Sequence, residues 1–110
     1  MIPFHTTVEK ARHQLESELQ QKFTIMMKHG TMQVEFFAPE NIDTQSPHKQ
    51  DELYIIASGN AIFNRNQERI HCKTGDVLFV PAAMQHRFEH FSEDFATWVI
   101  FYGPQGGEIQ

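Results

Sequence analysis

Three observations predict an all-β domain, a closed barrel or sandwich carrying one helix at its N-terminal end. Residues 24–101 break into eight short segments rich in β-branched and aromatic residues, turn signals separate them at regular intervals, and only one stretch has helical periodicity. With no crossover helices between the strands, a layered α/β fold is excluded.

The helical stretch comes first. Val8, Ala11, Leu15, Leu19 and Phe23 recur at steps of three or four among Glu, Gln, Lys and Arg, so a helix is expected over about 7–23, packed across the outside of a sheet. Thr6 and Glu9 have the spacing of a capping box at its start. Strands are then expected at 24–28, 31–38, 52–57, 61–64, 68–72, 77–80, 85–90 and 97–101. The breaks between them carry His29-Gly30, Ser58-Gly59-Asn60, Asn64-Arg65-Asn66, Thr74-Gly75-Asp76 and Pro81-Ala82-Ala83. Asn41 to Ser46 reads as an open polar loop, and the glycine-rich tail 103–110 is expected to be loose. A chain of 110 residues has room for one core, so 1–110 is one domain with its barrel over about 24–102.

Composition narrows the function. A net charge of −5 repels phosphate backbones and anionic lipids, and no apolar run approaches the roughly 20 residues that cross a bilayer. Nucleic acid and membrane are therefore unexpected partners, and a cytoplasmic location is expected because MIPFHTTVEK lacks the pattern of an export signal. Cys72 is the only cysteine, so a metal site must be built from His and carboxylates. Ten Phe exceed what one small barrel holds comfortably, which favours a homodimer.

Positions 48, 50, 52 and 54 share parity, so on an extended strand His48 and Glu52 look the same way. His86 opens a later strand. Two imidazoles and one carboxylate converging from neighbouring strands form a facial triad with coordination positions left open, the donor set of Fe(II), Mn(II) and related divalent ions. The same residues in a barrel without metal would form a polar pocket, and both readings stand at this point.

Here the sequence resembles the cupin family. Its first motif runs Gly, five residues, His-x-His, three or four residues, Glu, six residues, Gly; this chain has His48, three residues, Glu52, six residues, Gly59. The second runs Gly, five residues, Pro-x-Gly, two residues, His, three residues, Asn; this chain reads Gly75, five residues, Pro81-x-Ala83, two residues, His86, three residues, His90. Four positions depart: Glu40 and Ala83 replace glycines, Ser46 the first His, and His90 the Asn. The resemblance implies a double-stranded β-helix, or jelly-roll barrel, binding one divalent metal (Fe, Mn, Zn or Ni) through His48, Glu52 and His86, without the ligand that Ser46 removes.

Around that triad, Gln50 is a candidate to hydrogen-bond a metal-bound water, and Tyr54, Phe88 and Trp98 are candidate ligand-pocket residues, with packing as the competing role. Met26, Met27, Met32 and Met84 carry the same two readings. Asp51 should be structural, and His5, His13, His29, His71 and Cys72 bystanders. As a class, cupins include dioxygenases, isomerases, sugar-binding modules and regulators, so the resemblance implies a small-molecule ligand or substrate without choosing between a metal-dependent oxygenase or isomerase and a non-catalytic binding module.

Overall fold

The computed structural model describes residues 3–19 and 21–109. One helix, α1 (Val8–Ser17), precedes eight strands: β1 (Phe23–His29), β2 (Met32–Phe37), β3 (Asp51–Ser58), β4 (Asn60–Arg65), β5 (Glu68–Lys73), β6 (Val77–Val80), β7 (His86–Glu89) and β8 (Ala96–Tyr102). They form two antiparallel sheets, one ordered β1-β2-β8-β3-β6 and the other β5-β4-β7. This is the jelly-roll arrangement expected, with every expected strand present.

Alternation along the strands builds the interior. On β3, Glu52, Tyr54 and Ile56 are buried while Leu53 and Ile55 are only half-buried, and β8 buries Thr97, Val99 and Phe101 in the same rhythm. These meet Phe63 of β4 and Phe88 of β7 from the smaller sheet, giving one aromatic core with Phe95 and Cys72. A second, smaller cluster lies outside the larger sheet. There Ala11, Val8 and Leu15 of α1 cover Phe36, Ala96, Met26 and Trp98, as expected of a helix lying across a sheet.

Three local expectations are corrected. The helix stops at Ser17, where the Glu18 N–H turns back to the Leu15 carbonyl. Phe23, read as a fifth helical contact, instead opens β1 opposite Phe37, and Leu19 is exposed. Ladder bonds from β2 and the β-branched Thr24 and Ile25 outweigh the helical periodicity there. The cap is Thr7, whose hydroxyl accepts from the Lys10 N–H, so the reading of Thr6 with Glu9 was one residue early. Finally, the tail is tied down through residue 108. Gly103 N–H donates to Thr31 Oγ1, Gly106 N–H to the Lys49 carbonyl and Glu108 N–H to Asp51 Oδ2. Asp51, buried, also accepts from Ala82 N–H, which makes it the structural residue expected.

Candidate metal centre

The two sheets deliver the site between them. Glu52 comes from β3 in the larger sheet, paired with Phe101 and Val80; His86 opens β7 in the smaller sheet, opposite Arg65. His48 reaches in from the segment just before β3. One ligand atom from each of His48, Glu52 and His86 lies within 4.8 Å of the other two.

His86 Nδ1 lies 2.9 Å from the Met84 carbonyl oxygen. A carbonyl can only accept, so Nδ1 carries a proton and Nε2 is the atom turned to the cluster. That Nε2 is 2.9 Å from Glu52 Oε1, and His48 Nε2 is 3.9 Å from the same oxygen. The close approach of His86 to Glu52 is not aligned as a hydrogen bond: both Glu52 oxygens and His86 Nε2 are buried without a hydrogen-bond partner. A carboxylate 1% exposed and left so would cost several kcal/mol. Three such atoms from two facing strands, with the His48 ring beside them, fit a divalent cation, which accepts lone pairs without needing hydrogen-bond geometry.

Electrostatics divide the two histidines. Burial pulls the His86 pKa down, but the Glu52 carboxylate, the Met84 carbonyl and Asp43 together leave it above the usual histidine value. Burial wins at His48, which lies below that value despite Glu52 nearby. The Tyr54 phenol is held well above its normal range by burial and by Glu52.

His48, half-exposed, faces a cavity of about 610 Å³ lined by Gln33, Glu35, Phe37, Gln45, Val99 and Phe101 among others. Glu35 and Asp43 are the carboxylates lining this space. The Glu35 pKa is raised, chiefly by burial against the help of Gln33 and with a contribution from Glu52. The cavity therefore offers an apolar wall together with amides and carboxyl groups beside His48.

The candidate ligand-pocket residues separate. Tyr54 stays with the site: it is fully buried, its hydroxyl donates to Gln45 Oε1 at 2.9 Å, and its ring centroid is 6.0 Å from that of His86. Phe88 is packed between Tyr54, Phe63 and Phe95, inside the core behind the triad. Trp98 lies on the other face of β8, edge-on to Phe36 under the helix, away from the cavity. Gln50 is taken off the strand face by the bend before β3 and spends its amide on the Thr31 and Gly103 carbonyls. Met84 packs on the core and Met26 under the helix.

Sequence reasoning missed Glu35, Asp43 and Gln45. Glu35 shares parity with Gln33 and Phe37, but Val34 and Phe36 on the alternate face look more like core; the helix covering that face explains why both carry apolar residues. Asp43 sits in the stretch read as an open loop, yet it is 4% exposed and accepts from Gln45 N–H, Gln45 Nε2 and Phe88 N–H. The Asp-x-Gln spacing of a local turn was its one available signal.

Comparison with known proteins agrees with this architecture. The profile of the cupin domain matches residues 33–102, from the second residue of β2 to the end of β8, and takes in all three triad residues. The chain belongs to the cupin family. An uncharacterized protein of Streptomyces coelicolor is 41% identical over 63 residues, 57% of this chain and 60% of that protein's length. Among solved structures, a cupin superfamily protein of Desulfitobacterium hafniense superposes with a TM-score of 0.59 at 23% identity, covering 72% of this chain and 73% of its own. An RmlC-like cupin of Shewanella frigidimarina gives 0.61 at 13% identity, covering 72% of each chain. A cupin 2 conserved barrel domain protein of Salinispora arenicola gives 0.57 at 14% identity, covering 74% of each. At these identities the likeness is one of fold.

Proposed function

We propose that this cupin binds one divalent metal ion through His48, Glu52 and His86 and takes a small polar metabolite into the cavity beside it. The observation that carries the reading is the set of buried atoms without a hydrogen-bond partner, Glu52 Oε1, Glu52 Oε2 and His86 Nε2, in a cluster where His48, Glu52 and His86 each bring a ligand atom within 4.8 Å of the others. When bound, such an ion polarises an oxygen of its ligand and stabilises negative charge that develops there. The chain's own residues do the rest: Phe37, Val99 and Phe101 shield one wall from water, and Glu35, with its raised pKa, is a carboxyl group able to give or take a proton at the ligand's far side. This supports a metal-dependent oxygenase or isomerase over a purely structural barrel. A non-catalytic binding module is the second reading, because none of the described residues lining the cavity is a nucleophile hydrogen-bonded to a base.

The dimer is part of the proposal. Ile70 of β5 and Val77 and Phe79 of β6 are exposed beside one hollow on the sheet edges, which supports pairing through that side.

Elemental analysis of protein purified without a His tag tests the metal, followed by oxygen uptake and product analysis with a metabolite panel. One equivalent of metal in the parent and in His71→Ala, but little in His48→Ala, Glu52→Ala and His86→Ala, is the expected result. Metal-free parent protein that is stabilised by a metabolite would favour the binding module.

A further inference from the structure

The cupin pattern has a histidine at the position of Ser46, and Ser46 is exposed, so the substitution leaves the triad one ligand short on that side. Its neighbour Gln45 turns the opposite way, into the cavity. We propose that the Gln45 side-chain oxygen is the fourth protein ligand of the ion held by His48, Glu52 and His86; the inference rests on the metal reading above.

The orientation of the amide is settled by its partners. Gln45 Nε2 donates to Asp43 Oδ2 at 2.7 Å, and a carboxylate can only accept, so the NH₂ end faces Asp43. Asp43 is itself fixed, buried and holding the Gln45 and Phe88 backbone N–H groups. Oε1 therefore faces the site, where it accepts from the Tyr54 hydroxyl at 2.9 Å and lies 3.5 Å from His48 Nε2. One lone pair of that oxygen is used by Tyr54 and the other is free.

Distance decides what the free lone pair is for. At 3.5 Å the contact with His48 is beyond the usual 2.7–3.2 Å of an N–H···O bond. Two N or O ligands each about 2.1 Å from one ion lie roughly 3–3.5 Å from one another. Gln45 Oε1 and His48 Nε2, at 3.5 Å, stand at that spacing, as His86 and Glu52 do at 2.9 Å, while His48 and Glu52 are wider apart at 3.9 Å. A neutral amide oxygen also leaves the charge of the site as the carboxylate sets it and favours a hard ion such as Mn(II) or Fe(II) over a thiophilic one. Asp43 is then the positioning residue for the ligand oxygen, as carboxylate partners are for metal-bound imidazoles.

Titration of the apo-protein with Co(II), followed by visible absorption and calorimetry, tests this on the parent, Gln45→Met and Tyr54→Phe. Gln45→Met keeps the side chain's bulk and removes its hard oxygen, whereas Tyr54→Phe leaves that oxygen in place. The expected result is a Gln45→Met affinity lower by about tenfold or more with a changed Co(II) spectrum, against a Tyr54→Phe spectrum like the parent's. Circular dichroism of each apo-protein establishes that the variants fold, and a misfolded Gln45→Met is replaced by Gln45→Leu in the same comparison. A parent that binds no Co(II) overturns the metal reading and this inference with it. A parent that binds Co(II) with the affinity and spectrum unchanged in the folded variant overturns the inference alone.

Discussion

Glu52 and Glu89 are both strand carboxylates within reach of β7, and the fold treats them in opposite ways. Glu89, on the outer side of the smaller sheet, accepts from Asn64 at 3.1 Å and from Arg69 and Arg87 at 2.9 Å each, and these donors hold its pKa down to about 2. Glu52, inside, has no guanidinium, no amide and no aligned hydrogen bond, although it is far more buried. A carboxylate whose role is to steady a sheet receives partners from the chain. Glu52, buried with only the His86 ring at 2.9 Å, is the carboxylate that the proposed metal site puts to use.

The largest effect that separates the two clusters is metal-linked stability. At an ion concentration 100 times its Kd, binding adds about 2.7 kcal/mol, which in a domain of this size is a rise on the order of 10 °C in Tm. That rise should vanish in Glu52→Ala and persist in Glu89→Gln, as differential scanning calorimetry with and without chelator would show. A Glu89→Gln protein that loses the shift would mean that the outer cluster is coupled to the site.

Next in size is an acid effect confined to Glu89. Its folded pKa lies below the unfolded carboxylate value, so its contribution is complete above about pH 4.5 and is lost as pH falls toward 2. Stability measured by urea denaturation should therefore decline over that window in the parent and decline less in Glu89→Gln. Parallel curves would contradict the assignment.

The smallest effect concerns the loop that leads into His86. Ala83 occupies a left-handed conformation, φ 68°, where the cupin pattern has glycine, and its N–H donates to the His48 carbonyl at 2.7 Å. Ala83→Gly should relieve that strain and stabilise the protein by about 0.5–1 kcal/mol, with no change in metal content. Loss of stability would show that the Ala83 methyl packs more than its exposure suggests.

Most of the barrel was legible because its strands alternate cleanly and its breaks carry Gly, Asn and Pro. The helix end was not, since Leu19 and Phe23 continue a period of four while the ladder with β2 claims Phe23. The grouping of the triad was legible from spacing and motif together: His86 does open its strand, and His48 does meet Glu52, though from the segment ahead of the bend before β3 and not from the strand's face. Gln50, between them by parity, does line the cavity with His48, but the bend before β3 commits its amide to backbone carbonyls; Trp98 lies on the outer face because an outer helix lets both faces of β8 be apolar. Gln45 and Asp43 were hidden in a polar stretch whose burial comes only from the packed fold.

The burial of Glu52 without an aligned hydrogen bond is central to the metal reading, and the most direct measurement is the stability of Glu52→Gln beside the parent, metal-free and with added Mn(II). Glutamine keeps the shape and removes the charge. If the carboxylate is there for an ion, the metal-free variant should be at least as stable as the metal-free parent, and only the parent should gain from Mn(II). A variant that is less stable without metal, beside a parent that Mn(II) leaves unchanged, would show that Glu52 is a structural partner of His86 and that the cluster is not a metal site.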